Sequence, residues 1–270
     1  MTSAADLIAL NPYPGLRPFD TSDADRFFGR RQQIAELVAR LDEVPFIAVA
    51  GTSGCGKSSL VRAGLLNALA HPTPPDRQPA WRSAVMRPGN RPIANLAECL
   101  QPLVSPADPA DAARINALYG RLSLGGLALA DEVCRTVDGT VTRLLIVVEQ
   151  FEEIFRYQRM SSADEASAFV KLLLNAAVDP AAAISVVVTL RSETLGLCAD
   201  FRDLPEAINR GLYLVPKLTR EQRKDAIVKP AELRGAAVAP RLVQRLLNDV
   251  SDSFDDLPVM QHVLARTWRR

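Results

Sequence analysis

The sequence predicts an α/β fold: a parallel sheet flanked by helices, followed by a small all-helical C-terminal domain. Three observations lead there. Apolar, β-branched runs of strand length at Phe46 to Ala50, Leu144 to Val148 and Ile184 to Leu190 alternate with stretches of helical periodicity, the pattern of strand–helix–strand units. The first run passes directly into a glycine-rich loop and then a helix-like segment. Beyond Leu218 every periodic stretch is helical.

The elements follow in order. Asn11 to Phe19 holds three prolines and a glycine and reads as an extended arm. Ile34, Leu37, Val38 and Leu41 recur at helical spacing. After the strand at Phe46 and the glycine-rich loop, the helix-like segment runs from Ser58 to Leu66, and the proline-rich stretch from His71 to Pro79 reads as a loop. Ser83 to Met86 reads as a short strand ending at Pro88-Gly89. The Ala- and Leu-rich stretch from about Asn95 to Val137 reads as several helices broken at Pro102, Pro106 and Pro109. Leu144 to Val148 is apolar throughout, as a parallel strand covered on both faces should be. Ser162 and Glu165 form a capping-box pattern before a helix whose Phe169, Val170, Leu173 and Leu174 share a face. Thr219 and Gln222 form a second one. Leu242, Val243, Leu246, Leu247 and Val250 mark a further helix, and Pro258 suits the first turn of a last one. The implied division is an arm over 1–22, an α/β domain over 23–218 and a helical domain over 219–270.

Composition narrows the classes. Of 270 residues, 48% are hydrophobic, enough for a sizeable core; 32 basic against 31 acidic residues leave a net charge of +1, so whole-chain electrostatics makes no case for nucleic acid or an anionic membrane. The four cysteines are scattered without a C-x-x-C pair and there are two histidines, which argues against structural zinc and for a reduced, cytoplasmic setting. The N-terminus lacks a signal-peptide pattern, no stretch reaches transmembrane length, and no internal repeat is evident.

The chemistry begins at Gly51-Thr52-Ser53-Gly54-Cys55-Gly56-Lys57-Ser58, which fits G-x-x-x-x-G-K-[ST], the phosphate-binding loop of P-loop NTPases. Glycines let successive N–H groups turn toward phosphate oxygens, and the following helix adds its positive end. Lys57 is placed for the β- and γ-phosphates and Ser58 for Mg²⁺. Cys55 reads as a small loop residue, with a redox role as the alternative. Hydrolysis needs a carboxylate in the metal shell and a group to handle the attacking water. The strand from Leu144 is followed at once by Glu149-Gln150-Phe151-Glu152-Glu153, the Walker B pattern: Glu149 for the metal, Glu152 or Glu153 for the water. Glu149 stands where Asp is usual and is longer by one bond, ~1.5 Å. Arg191, at the tip of the strand from Ile184, is a candidate phosphate sensor; from this segment alone, pairing with Glu193 or solvation serves equally.

The ordered set of Asn11-Pro12-Tyr13-Pro14-Gly15-Leu16 with Phe19, Phe27-Phe28-Gly29-Arg30, the Walker A loop, Arg87-Pro88-Gly89, Val147 to Glu153, Thr189-Leu190-Arg191-Ser192 and Leu257 to His262 up to Trp268 resembles the STAND class of signal-transduction NTPases among AAA+-like P-loop proteins. It is most similar to the bacterial novel STAND NTPase type. The resemblance implies that the nucleotide is ATP or ADP, that Phe28, Gly29 and Arg30 lie with their backbone against adenine, that Thr52 to Ser59 hold the phosphates, that Arg191 is the sensor arginine, and that Pro258 touches base or ribose from a helical lid. Without it, Phe28 to Arg30 is a turn into a helix, Pro258 a helix-start proline and His262 an ordinary helix residue. Glu149 departs from the family's Asp, and Arg31 from a common Glu. The resemblance further implies a closed ADP state, an ATP state that self-associates, slow hydrolysis, and a partner sensor and effector, with winged-helix and repeat segments expected beyond the core. Two other functions compete: a module holding nucleotide without hydrolysis, and an AAA+ ATPase of DNA replication or transposition.

Overall fold

A computed structural model describes residues 11–72, 81–104, 111–136, 143–249 and 256–268. The start of the arm, residues 73–80 of the proline-rich loop, Pro106, Pro109, Val137 and Val250 lie outside them. The chain forms two compact units: Val38–Ala50 with Leu69–Leu214, and Met1–Leu37 with Gly51–Ala68 and Val215–Arg270.

The first unit carries a five-stranded parallel sheet flanked by helices. Its strands are β1 (Phe46–Gly51), β2 (Trp81–Met86), β3 (Arg143–Val148), β4 (Ile184–Arg191) and β5 (Leu212–Leu214), in the order β2-β3-β4-β1-β5. Leu145 to Val148 of β3 and Val186 to Val188 of β4 are wholly buried. Neighbours on both sides and helices on both faces require such continuous apolar runs. β2 lies at the edge, pairs Trp81 to Met86 with Arg143 to Val148 in register, and accordingly exposes Arg82, Ser83 and Val85. Along the chain, α1 (Arg31–Glu43) and α2 (Lys57–Ser59, Leu60–Leu66 and Asn67–Ala70) cross the boundary between the units, and the sheet unit's own helices are α3 (Pro92–Val104), α4 (Ala112–Leu122), α5 (Ala128–Thr136), α6 (Glu153–Met160), α7 (Ala163–Val178) and α8 (Leu204–Gly211). Phe169, Val170, Leu173 and Leu174 of α7 are all buried, as their spacing predicts.

Two local expectations are corrected. The helix does not break at Pro102; α3 runs through it to Val104. Proline removes one N–H and crowds the carbonyl four residues back. Here that carbonyl belongs to exposed Glu98, only two helical residues follow, and Leu96 and Leu100 hold the opposite face in the core. At α7, Ser162 caps as expected, accepting from the Glu165 N–H at 3.1 Å. The Glu165 carboxylate instead accepts from the Tyr157 hydroxyl at 2.6 Å. That bond, with burial, pushes the Tyr157 pKa up to about 12. A local pattern does not reveal a competing partner on the preceding helix.

The second unit is helical, with α9 (Arg220–Glu232), α10 (Pro240–Asp249) and α11 (Asp256–Trp268) around Ile227, Leu246, Leu247, Met260 and Leu264. The box at Thr219 closes reciprocally with Gln222, at 2.9 and 3.2 Å. The described part of the arm is irregular, as its prolines require, but firmly held. The Tyr13 hydroxyl donates to Ile227 O at 2.5 Å, Asn11 Nδ2 donates to Ala265 O at 3.1 Å, and the Tyr13 ring meets Trp268 edge-on. Thr21 and Ser22, assigned to the arm from sequence, begin a 3-10 turn, Thr21–Arg26.

That turn carries a buried carboxylate. Asp23 is bonded by Arg17 and Arg26 and accepts from the Asp20 N–H. Burial alone would raise its pKa, but these bonds and the Arg17 charge outweigh burial and hold it at about 2, below the usual 3.8. A lowered native pKa stabilises fully above the unfolded value and is lost as pH falls through the folded one. Asp23 is expected to contribute about 2 kcal/mol at neutral pH, most of it lost by pH 2 and the rest below it. Denaturant titrations at the two pH values, on wild type and Asp23→Asn, check it; the variant should narrow the gap by that amount.

Candidate nucleotide site

The phosphate loop, Phe28 to Arg30 and α11 belong to the helical unit. The loop turns through left-handed backbone at Gly54 (φ +70°) and Gly56 (φ +94°), conformations that a β-carbon penalises. Gly56 is also the N-cap of α2, which is built from Lys57–Ser59, a π-type stretch Leu60–Leu66, and Asn67–Ala70. No side chain caps this helix. Its first N–H groups therefore have neither an intrahelical acceptor nor a capping oxygen, and together with the helix dipole they suit an anion. Thr52 to Ser58 are all accessible in part. Lys57 Nζ donates to Gly51 O at 2.9 Å and Thr52 O at 2.7 Å, which folds the ammonium across the loop. Ser59 is buried, and its hydroxyl accepts from the Phe19 N–H at 3.1 Å.

Arg30 does more than its sequence position suggests. It is buried and donates to Cys55 O at 3.0 Å and Pro216 O at 2.7 Å, so the arginine braces the phosphate loop from behind. Gly29 (φ +87°) lies so near α9 that a β-carbon would stand 2.5 Å from Gln222 O. Phe28 is half-buried, with Lys229 Nζ 5.9 Å from its ring centre. The start of α11 also approaches the loop: Leu257 Cδ1 is 3.8 Å from where a β-carbon on Gly56 would be, and Pro258 follows it in the first turn.

The acidic residues and Arg191 gather in the sheet unit. Parallel strands bring the C-terminal ends of β2, β3 and β4 to one edge, where open α/β sheets place ligands. Glu149 leaves β3 fully buried; its N–H donates to Met86 O at 2.8 Å, and Arg87 Nε stands 3.8 Å from its carboxylate. Gln150 then takes a left-handed φ of +50°. The turn is pinned by Thr189, whose Oγ1 accepts from Gln150 N at 3.1 Å and whose carbonyl accepts from Phe151 N at 2.8 Å. Glu153 accepts from Gly89 N at 2.9 Å. Arg191 pairs with Glu152 at 3.3 Å rather than with Glu193; the pair is over half exposed on the arginine side, so it holds loosely. Arg87, Gly89 and Thr189 carry no role in the sequence reading, although Arg87-Pro88-Gly89 and Thr189 stand in its motifs. Their partners come from other strands, so only the register reveals them.

The Ser58 hydroxyl of the helical unit and the Glu149 carboxylate of the sheet unit are each a hard oxygen donor, the type that Mg²⁺ takes beside nucleotide phosphates. Among the described residues no three His, Cys, Asp or Glu form a cage that would hold a metal by themselves.

The sequence profile of the Novel STAND NTPase 1 family matches residues 12–270. The chain belongs to this family. No curated protein matches the sequence. Among solved structures, this STAND NTPase core is similar to the Walker-type ATPase PABY2304 of Pyrococcus abyssi, with 15% identity and a TM-score of 0.56 over 93% of this chain and 71% of that one. It is likewise similar to the Aeropyrum pernix ORC2 protein in its ADPNP–ADP complexes, at 12% identity, TM-score 0.57, 88% of this chain and 66% of that one. The Aeropyrum pernix ORC1 protein in complex with DNA gives 16% identity, TM-score 0.58, 90% and 60%. The chain thus spans 60 to 71% of the length of these structures, and at such identities the likeness is one of fold. The family makes this a nucleotide-binding NTPase core, and its fold is similar to that of a Walker-type ATPase. Among the described residues no helix is long and apolar enough to cross a membrane.

Proposed function

We propose that this STAND NTPase core is a cytoplasmic nucleotide switch that binds ATP or ADP with Mg²⁺ and hydrolyses ATP slowly. Lys57 and the N–H groups of Thr52 to Ser59 hold the phosphates, Ser58 and Glu149 the Mg²⁺, and Glu152 or Glu153 the attacking water. Arg191 senses the γ-phosphate, and Phe28 to Arg30 with Pro258 border the nucleoside. The bound metal would supply charge neutralisation between phosphates. One observation carries the reading: the uncapped start of α2 behind Gly54 and Gly56, with Lys57 folded over the loop. We assign residues 1–22 to an arm, 23–218 to the ATPase domain and 219–270 to a lid. Contacts made only with ATP shift the lid equilibrium, favour self-association and pass the signal to sensor and effector partners.

Single-turnover hydrolysis tests the chemistry. Glu152→Gln or Glu153→Gln is expected to slow ATP cleavage about 10²- to 10⁴-fold, the range of a general base, with nucleotide affinity kept. Glu149→Asp, which restores the family's usual residue, should not slow it. A second reading, nucleotide held without hydrolysis, is favoured by Glu149 itself, buried beside Arg87. It prevails if wild type and all three variants bind ATP yet none cleaves it above background.

A further inference from the structure

Burial normally brings a hydrogen-bond partner to every polar atom. In the helical unit Gln261 departs from this: the residue is 7% exposed, and its Oε1 is buried with no partner among the described residues. Its place on α11 says what stands near it. Residues four apart share a helix face. Four residues before Gln261 is Leu257, whose Cδ1 lies 3.8 Å from the β-carbon position of Gly56 in the phosphate loop. Four residues after it is Ala265, whose Cβ lies 3.7 Å from the β-carbon position of Gly15, and whose carbonyl accepts from Asn11 Nδ2. Gln261 therefore sits on the α11 face between the phosphate loop and the N-terminal arm, with an acceptor awaiting a donor.

We infer that Gln261 reads the base of the bound nucleotide, its amide oxygen accepting from the exocyclic amino group of adenine. This rests on the nucleotide-binding reading above and adds base selectivity to it. A nucleoside diphosphate anchored at the start of α2 projects its base away from the loop, and Gln261 stands one turn of α11 beyond Leu257, the residue that approaches that loop. Adenine carries an amino donor beside a ring-nitrogen acceptor, and a glutamine amide matches both. Guanine presents O6, an acceptor, where adenine has the amine, and would leave the buried oxygen facing another oxygen. A site built to bond a ligand N–H rejects analogues lacking it, because its own polar atom stays unpaired.

Equilibrium binding of ADP, GDP and purine riboside 5′-diphosphate, which lacks the amino group, tests this on wild type, Gln261→Leu and Gln261→Met. Wild type should prefer ADP to the purine analogue by about tenfold, the loss from one unpaired buried acceptor, and to GDP by at least as much. Both variants should bring the ADP-to-purine ratio close to one. The ratio compares ligands on the same protein, so a partial loss of folded material in one variant does not alter it. Two apolar side chains of different shape guard against a packing effect. An undiminished ratio in both variants, or no ADP preference in wild type, overturns the inference while nucleotide binding stands. If wild type binds none of the three diphosphates, the nucleotide-binding reading falls, and the inference with it.

Discussion

Lys57→Ala is expected to weaken ATP binding by about 10- to 150-fold, the value of one hydrogen bond to a charged group. The estimate is a floor. Lys57 Nζ also donates to Gly51 O and Thr52 O, so the alanine variant loses a brace within the loop as well as a charge beside the phosphates. Arg30 still holds Cys55 O from the other side, which should keep the loop folded and the unfolding midpoint within a few degrees of wild type. Titration calorimetry with ATP and ADP, beside thermal unfolding, checks both halves. A change in affinity below twofold would show that the anion is held elsewhere.

Phe151→Ala should have the largest effect on stability, about 3–5 kcal/mol. The ring is fully buried and meets Phe155 edge-on at 6.0 Å, and Phe155 in turn packs on Phe201. Its N–H bonds Thr189 O in the turn that aims Glu149, Glu152 and Glu153. Removing the ring leaves a cavity beneath the acidic turn. Chemical denaturation should register the loss, and Phe151→Leu should recover much of it by refilling the volume. Because Phe151 belongs to the sheet unit and Lys57 to the helical unit, the two variants separate a loss of scaffold from a loss of ligand contact.

Much of the fold was legible because its signals are local. β3 and β4 read correctly from apolar runs, since a strand with neighbours on both sides has no solvent face to mark. The box at Thr219, the helix at Ile34 and Leu37, and the loop at Gly51 also depend on residues close in sequence. The misreadings have the opposite cause. Pro102 stays in its helix because the core side of α3 outweighs one missing hydrogen bond on the exposed side. Glu165 is drawn from its capping box by Tyr157, eight residues away.

The sequence by itself determined the phosphate loop, the parallel strands, the acids after β3 and the family, because each is written in residue types at fixed spacings along the chain. Only the tertiary structure decided that Arg30 braces Cys55, that Arg191 faces Glu152, that Thr189 pins the acidic turn, and that Gln261 keeps a buried oxygen unpaired. These are facts of register, helix face and desolvation. They arise when segments far apart in sequence are packed within bonding distance, and the hydrogen-bond needs of a buried atom appear only once water has been excluded from it.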